Sequence, residues 1–432
     1  MNKIYKNNIL PLINLLNSKL NEIGKQIFKY KSIVTFKDLF YIISLVNNNS
    51  LSSYSIIIDK LNTEEKLDVT KSAIIKKRKK CQSKYFQQIN DHLLDFIYKD
   101  TPSRLLAVDS TLIYVYQKLQ DEGVSLCLNN HYCKLRINAI FDVDSRIPIN
   151  YIIGNQSERP LLEQQMNILK SGDIVLHDRG YYSDKLLVLY HLSKADAIFR
   201  INETAANIKL FKKYSNDFVI NKYFHKEDIN IKIRYIKYKI NTGKGNRNYY
   251  ICTTLTNSTK FNYNYFIESY NKRWAIETHF NQTKYDFSLN NIKSKSLNNV
   301  KQDIYINQSL SIINSYIEHK LTPFIKKSFN EKTEYCKINS KSCINLLNGG
   351  FRILLYESNT LNSHKYFSSM TKTLIKSAMI IKKFRSYDRI RKKPRSKWTL
   401  KGTTCISASK KNEIKKLSAK IKGNKISNKK II

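Results

Sequence analysis

Apolar residues recur at helical spacing over residues 9–28, 36–46 and 55–61, the pattern of helices that each bury one face. A fourth helix is expected to start near Thr70 or Ser72, either of which can cap it. It would run through Ile74, Ile75 and the KKRKK run, Lys76 to Lys80. Residues 86–98 read as a fifth helix, and Pro102 ends this regime. Residues 105–108 are apolar on both faces, as in a strand buried on two sides, and the strand is expected to end in Asp109. Residues 134–141 and 147–153 alternate as two strands of a hairpin, with Asp142 and Asp144 in its turn. Ser157 is placed to cap a helix reaching about Lys170. Residues 174–176 form another apolar strand ending in His177 and Asp178. Gly180 is expected to let the chain turn tightly into a helix over residues 183–192.

The character then changes. Ile229, Ile231, Ile233 and Tyr235 alternate with polar residues, TGKGNRN (242–248) reads as a loop, and residues 249–255 return as a strand. Residues 270–284, YNKRWAIETHFNQTK, contain no Gly or Pro and read as one helix. Further helices are expected over 298–321, 343–357 and 366–384. Beyond them Lys and Arg crowd the chain, opposed only by Asp388 and Glu413 through residue 430, which implies a tail disordered until bound.

Charge narrows the partners. Lys plus Arg number 75 against 34 Asp plus Glu, a formal net charge of +41 over 432 residues. Cations spread along the whole length suit a polyanion, and nucleic acid leads because counterion release needs many distributed cations. A richness in Lys, Asn and Ile inflates the Lys count but does not explain the shortage of acids. The 7 cysteines are an odd, scattered set without CxxC or Cys/His zinc spacing, and read as reduced intracellular thiols. The N-terminus, MNKIYKNNILPLIN, lacks the apolar core of a signal peptide, and no 18-residue apolar run exists. A soluble intracellular protein with no membrane partner is expected.

Candidate chemistry lies on the 270–284 helix. At about 100° per residue, Tyr270, Arg273, Glu277 and Lys284 fall within an arc of roughly 60°. One stripe thus carries a carboxylate able to bind a metal ion and cations able to hold phosphates. Asp109 and Asp178, at the ends of two apolar strands, supply two further acids where open α/β sheets gather their sites. Three such carboxylates could hold two Mg²⁺ ions about 4 Å apart for an in-line displacement at phosphorus. His177 is read as packing, and Glu158 and Asp173 carry no specific claim.

The spacing Tyr270, Arg273, Glu277, Lys284, with VDST around Asp109 and HDRGYYS around Asp178, resembles the signature of IS4-type DDE transposases. That resemblance covers roughly residues 35–400. It implies an α/β (α+β overall) chain with an RNase H-like catalytic core, interrupted by a β-rich insertion and flanked by helical regions. It implies cut-and-paste DNA transposition, with Asp109, Asp178 and Glu277 as catalytic metal ligands. Two Mg²⁺ ions, replaceable by Mn²⁺, would act there. Metal-activated water would nick the element's end, and the 3′-hydroxyl so formed would attack DNA. Tyr270, Arg273 and Lys284 would hold phosphates, Arg179 would contact phosphate or pair with a carboxylate, and Trp274 would stack on a displaced base or pack in the core. Double-stranded DNA, as terminal inverted repeats and target, is the implied partner, with a homodimer on paired ends. A nuclease of the same fold without strand transfer, and a DNA-binding protein with a vestigial site, stand as alternatives.

The expected organisation is a helical DNA-binding segment (1–100), a first core part (101–195), a β-rich insertion (196–262), a second core part with the Glu helix (263–325), a helical C-terminal region (326–384) and a basic tail (385–432). KKRKK and RKKPR would serve as nuclear import signals in a eukaryote, and would only bind DNA in the cytoplasm of a bacterium.

Overall fold

The computed structural model describes residues 5–28, 34–48, 54–65, 69–116, 119, 122, 124, 133–242, 245–328 and 336–380. The basic tail and its RKKPR run lie outside them. A short π-helical turn, Tyr5–Ile9, leads into α1 (Leu10–Ile27), followed by α2 (Phe36–Asn48), α3 (Tyr54–Glu65), α4 (Lys71–Lys80) and α5 (Lys84–Ile97). Thr70 caps α4 by accepting from the Ala73 N–H at 3.2 Å.

Strands β1 (Leu105–Val115), β2 (Cys133–Asp142), β3 (Pro148–Gly154), β4 (Ile174–His177), β5 (Asp196–Arg200), β6 (Asp217–Phe224), β7 (Ile229–Thr242) and β8 (Gly245–Thr253) form one eight-stranded sheet. Its order is β3-β2-β1-β4-β5-β8-β7-β6. The β1–β2–β3 meander is antiparallel, and β4 and β5 run parallel to β1, which is the RNase H-like arrangement expected. The β6–β8 meander adds to the same sheet through an antiparallel β5–β8 pairing. Between β3 and β4 stands α6 (Glu158–Glu163), and between β4 and β5 stands α7 (Asp184–Ser193). Next come α8 (Ala205–Lys213), α9 (Tyr263–Lys272), α10 (Trp274–Tyr285), α11 (Leu297–Ser328), α12 (Ser340–Tyr356) and α13 (Leu361–Lys376).

Several local expectations change. β1 does not stop at Asp109, because β2 continues to pair with it as far as Val115. Only its parallel pairing with β4 ends there, at Val108 opposite His177. The helix expected to reach Lys170 closes at Glu163, with a 3₁₀ turn after it. The 242–248 segment is mostly strand, since Thr242 pairs with Gly245. Positive φ belongs to Gly172, at 84°, and not to Gly180. A Cβ on Gly180 would meet only Glu158 Oε2, at 3.9 Å, so the turn there does not require glycine.

Both faces of the sheet are covered. On one, Leu106, Val108, Val175 and Phe199 pack with helices from both ends of the chain. On the other, Ala107, Leu176 and Ile198 pack with Phe266, Tyr270, Ile276 and Phe280 of α9 and α10. The long α11 buries polar as well as apolar residues. Arg78, from the KKRKK run, is buried against it, meeting Asp303 at 2.5 Å and Gln302 at 2.9 Å. Asn90 of α5 bonds the Tyr305 carbonyl at 3.0 Å. Arg78 is therefore a docking residue, while Lys76, Lys79 and Lys80 remain exposed.

At the foot of the sheet, Asp173 is fully buried and grips Arg104. Its Oδ1 accepts the Arg104 backbone N–H at 3.0 Å and Nε at 3.1 Å, and its Oδ2 meets Nη2 at 2.5 Å. The pair joins the chain just before β1 to the chain just before β4. Asp173→Ala leaves a buried guanidinium unpaired and is expected to cost about 3–5 kcal/mol, read as a lower midpoint in denaturant unfolding. Gly350→Ala would drive a methyl into the Tyr366 ring and is expected to cost about 1–3 kcal/mol. Gly180→Ala, measured alongside, should leave the midpoint unchanged.

Candidate active site

Strand alternation selects the face. Side chains along a strand point to opposite sides in turn, and Leu106 and Val108 face the helices from the chain ends while Ala107 faces α9 and α10. Asp109 therefore falls on the α9–α10 side. In β4, Leu176 faces that side and His177 the other, so Asp178 falls with Asp109. In β5, Ile198 faces that side, so Arg200 joins them. Val108, His177 and Phe199 are register partners across the three parallel strands. Asp109, Asp178 and Arg200 thus stand one residue beyond a common row, with neighbouring strands about 4.8 Å apart. His177 is packing, as expected. It is buried, stacked on Phe199 and bonded to the Tyr190 hydroxyl at 2.6 Å.

The 270–284 segment is not one continuous helix. α9 ends at Lys272 and α10 starts at Trp274, with Arg273 between them. The backbone stays helical there, but the Arg273 N–H bonds the Tyr270 carbonyl and the Ile276 N–H bonds the Arg273 carbonyl. Both are three-residue steps, a tightened turn of 3₁₀ type. Tyr270 and Arg273 are each only 3% exposed. The Tyr270 hydroxyl donates to Asp178 Oδ1 at 3.4 Å, and Arg273 Nη2 donates to Glu277 Oε1 at 2.9 Å. The segment's two halves therefore reach two different acids.

Electrostatics ties the group together. Burial pushes the Asp109 carboxyl up to about 6, helped by the Glu158 and Glu277 carboxylates and opposed by the Ser110 N–H and the Arg273 guanidinium. Burial works against the Arg273 charge, yet Tyr270, Asp178 and Glu277 outweigh it and hold its pKa above the ordinary value. Burial, with Asp178, lifts the Tyr270 hydroxyl to about 12 against Arg273 and Arg200. Arg273 is thus the counter-cation shared by all three acids. Its Nε and Nη1 are buried and have no protein hydrogen-bond partner among the described residues.

The remaining expected residues are less closely joined. Trp274 is 55% exposed rather than core, with the Arg273 guanidinium 5.1 Å from its ring. Lys284 lies two turns past Glu277, about 10 Å along the helix. Burial lowers its ammonium pKa, and it forms no ion pair among the described residues. Arg179 is exposed and likewise forms no ion pair there.

Two residues given no role from the sequence belong to this neighbourhood. Arg200 lies 4.3 Å from the Tyr249 ring and 6.0 Å from the Tyr270 ring. Its signal was available, because DAIFR repeats the form of an apolar strand followed at once by a charge. Glu158 accepts from Ser110 Oγ at 2.6 Å and Arg136 Nη1 at 2.7 Å, beside Asp109. Nothing in its local sequence distinguishes it.

Hard carboxylate oxygens suit a divalent ion such as Mg²⁺. In donor chemistry Asp109, Asp178 and Glu277 fit. Among the described residues, no group of three or more His, Cys, Asp or Glu is drawn together tightly enough to hold an ion by itself. No helix among these residues is long and apolar enough to cross a membrane.

The chain is similar to a piggyBac transposase whose cryo-EM structure is a synaptic complex with hairpin DNA. The two share 12% identity at a TM-score of 0.41, over 90% of this chain and 86% of that one. None of the curated proteins compared matches this chain. Residues 100–313 match the family described as Transposase DDE domain, a span that contains both acidic strand ends and the whole 270–284 segment. Over those residues the chain carries a transposase DDE domain, the domain of a family of DNA transposition proteins.

Proposed function

We propose that the chain is a metal-dependent DNA transposase of the IS4 type, cutting at transposon ends and joining them to target DNA. One observation carries this reading. The ends of β1 and β4 place Asp109 and Asp178 on the sheet face where α10 presents Glu277, with the buried Arg273 among them. Asp109, Asp178 and Glu277 would hold Mg²⁺ or Mn²⁺. When bound, such ions supply an activated water or hydroxyl and offset charge developing at phosphorus.

The chain's own residues do the rest. Arg273 carries two buried donor atoms without a protein partner, and leaving donors so costs about 1–3 kcal/mol. A DNA phosphate oxygen reaching Nε or Nη1 would recover that cost with a charge-assisted bond. Arg200, held between two tyrosine rings, and Lys284 further along α10 would extend the cationic track along the backbone. Trp274, exposed beside Arg273, offers a face on which a displaced base can stack. Two copies acting on paired ends, with terminal repeats and target as the DNA partners, complete the reading.

A plasmid bearing the gene with its flanking DNA, incubated with the purified protein and MgCl₂, should be cut at the element's borders and yield joined product. Asp109→Ala, Asp178→Ala and Glu277→Ala should each remove that cutting while leaving DNA binding in a gel-shift assay. Cutting that persists in any of the three would overturn the assignment, and nicks without joined product would favour a nuclease. Duplex affinity should also fall by about 10³-fold or more between 50 and 200 mM salt, as expected for several phosphate contacts. A flat salt response in fluorescence anisotropy would contradict a backbone-led interface.

A further inference from the structure

The parallel pairing that sets Asp109 beside Asp178 ends one residue short of both. β1 and β4 last pair at Val108 and His177. Beyond that point Asp109 and Ser110 keep only β2 as a sheet neighbour, and Asp178 enters a turn closed by the Tyr181 N–H on its carbonyl at 3.2 Å. Each acid is thus free of sheet support on the side where the two must cooperate.

The start of α6 reaches the chain beside each of them. Glu158 Oε1 accepts from Ser110 Oγ at 2.6 Å and Arg136 Nη1 at 2.7 Å, and the same Nη1 donates to Ser110 Oγ at 2.8 Å. The Ser110 backbone N–H in turn donates to Asp109 Oδ1 at 2.8 Å. The next residue, Arg159, donates from Nε to the Gly180 carbonyl at 2.7 Å, inside the turn that follows Asp178. Two consecutive side chains at the start of one helix therefore reach the residue after Asp109 and the turn after Asp178.

Stability does not account for this arrangement. The side chains of Glu158 and Arg136 are 38% and 25% exposed, and pairs this accessible contribute about 0–1 kcal/mol to folding. What the contacts do fix is orientation. With Ser110 clamped on one side of β1, its N–H stays aimed at Oδ1 of Asp109 on the other.

We propose that Glu158 and Arg159 are positioning residues that set the two acidic strand ends relative to each other. Glu158 acts on Asp109 through Ser110, and Arg159 acts on the Asp178 turn through the Gly180 carbonyl. The proposal rests on the reading of Asp109 and Asp178 as ion ligands. It assigns Glu158 a hydrogen-bonding role rather than a place on the ion. Gln at 158 keeps an oxygen for Ser110 and Arg136, whereas Ala removes it.

The test is Mn²⁺ binding to the full chain by isothermal titration calorimetry, with Mg²⁺-dependent plasmid cutting read in parallel. Glu158→Ala and Arg159→Ala should each weaken Mn²⁺ about 10–100-fold, the usual effect of losing the partner that orients a ligand. Their thermal midpoints should stay near the parent's. Glu158→Gln should recover binding to within a few-fold, and Glu158→Ala with Ser110→Ala should be no worse than Glu158→Ala alone, because both break one chain of contacts. Parental Mn²⁺ affinity in Glu158→Ala, with binding lost in Asp109→Ala, would sink the proposal and leave the site intact. Equal loss in Glu158→Gln and Glu158→Ala would also overturn it, by showing that the charge itself is needed. Parental affinity in Asp109→Ala would instead remove the ligand reading and this role with it. Should Glu158→Ala fail to fold, Ser110→Ala and Arg159→Ala decide the matter in the same way.

Discussion

The register between β1 and β4 is the constraint on which the site depends. Leu105 stands opposite Ile174 and Val108 opposite His177. Arg104 and Asp173 lock that register from below with a buried, multiply bonded ion pair. The same number of residues separates Arg104 from Asp109 as separates Asp173 from Asp178. A fixed foot therefore means level heads. Because side chains alternate along a strand, a slip of one residue would send one acid to the opposite face. A clamp at the foot of the two strands thus decides whether the two acids stand side by side.

Charge balance is the second constraint. Burial raises the Asp109 carboxyl, and the neighbouring Glu158 and Glu277 carboxylates add to the push. Arg273 answers by standing among them, buried and bonded to Glu277 through only one of its nitrogens. The break between α9 and α10 falls at that residue. A single unbroken helix would carry Tyr270, Arg273 and Glu277 as a straight stripe. The tightened turn instead lets Tyr270 reach the Asp178 strand end while Glu277 approaches Asp109.

The helical body serves the sheet rather than standing apart from it. Helices from both chain ends share one core with Leu106, Val108 and Val175. Tyr5 donates to the Ser358 carbonyl, and the Tyr356 hydroxyl donates to Asp38. In α4 the positive charge is divided by depth. Arg78 turns inward to Asp303, and Lys76, Lys79 and Lys80 remain exposed.

Much of this was legible in the chain itself. Period-two and period-3.6 patterns located most strands and helices, because burial of one face or two leaves a local trace in residue type. The two acids after apolar runs, and the Tyr270–Lys284 spacing, were visible for the same reason. Other features left no local trace. Asp173 and Glu158 look like ordinary surface acids, and only partners far along the chain give them work: Arg104, Ser110 and Arg136. The polar residues buried on α11 gave no apolar signal, since hydrogen bonds to other helices take the place of apolar contact. The sequence by itself determined which side chains are available and on which face of each element they lie. Tertiary structure alone decided which strand ends stand side by side, and which charges neutralise one another, because register and ion pairing are set between segments rather than within them.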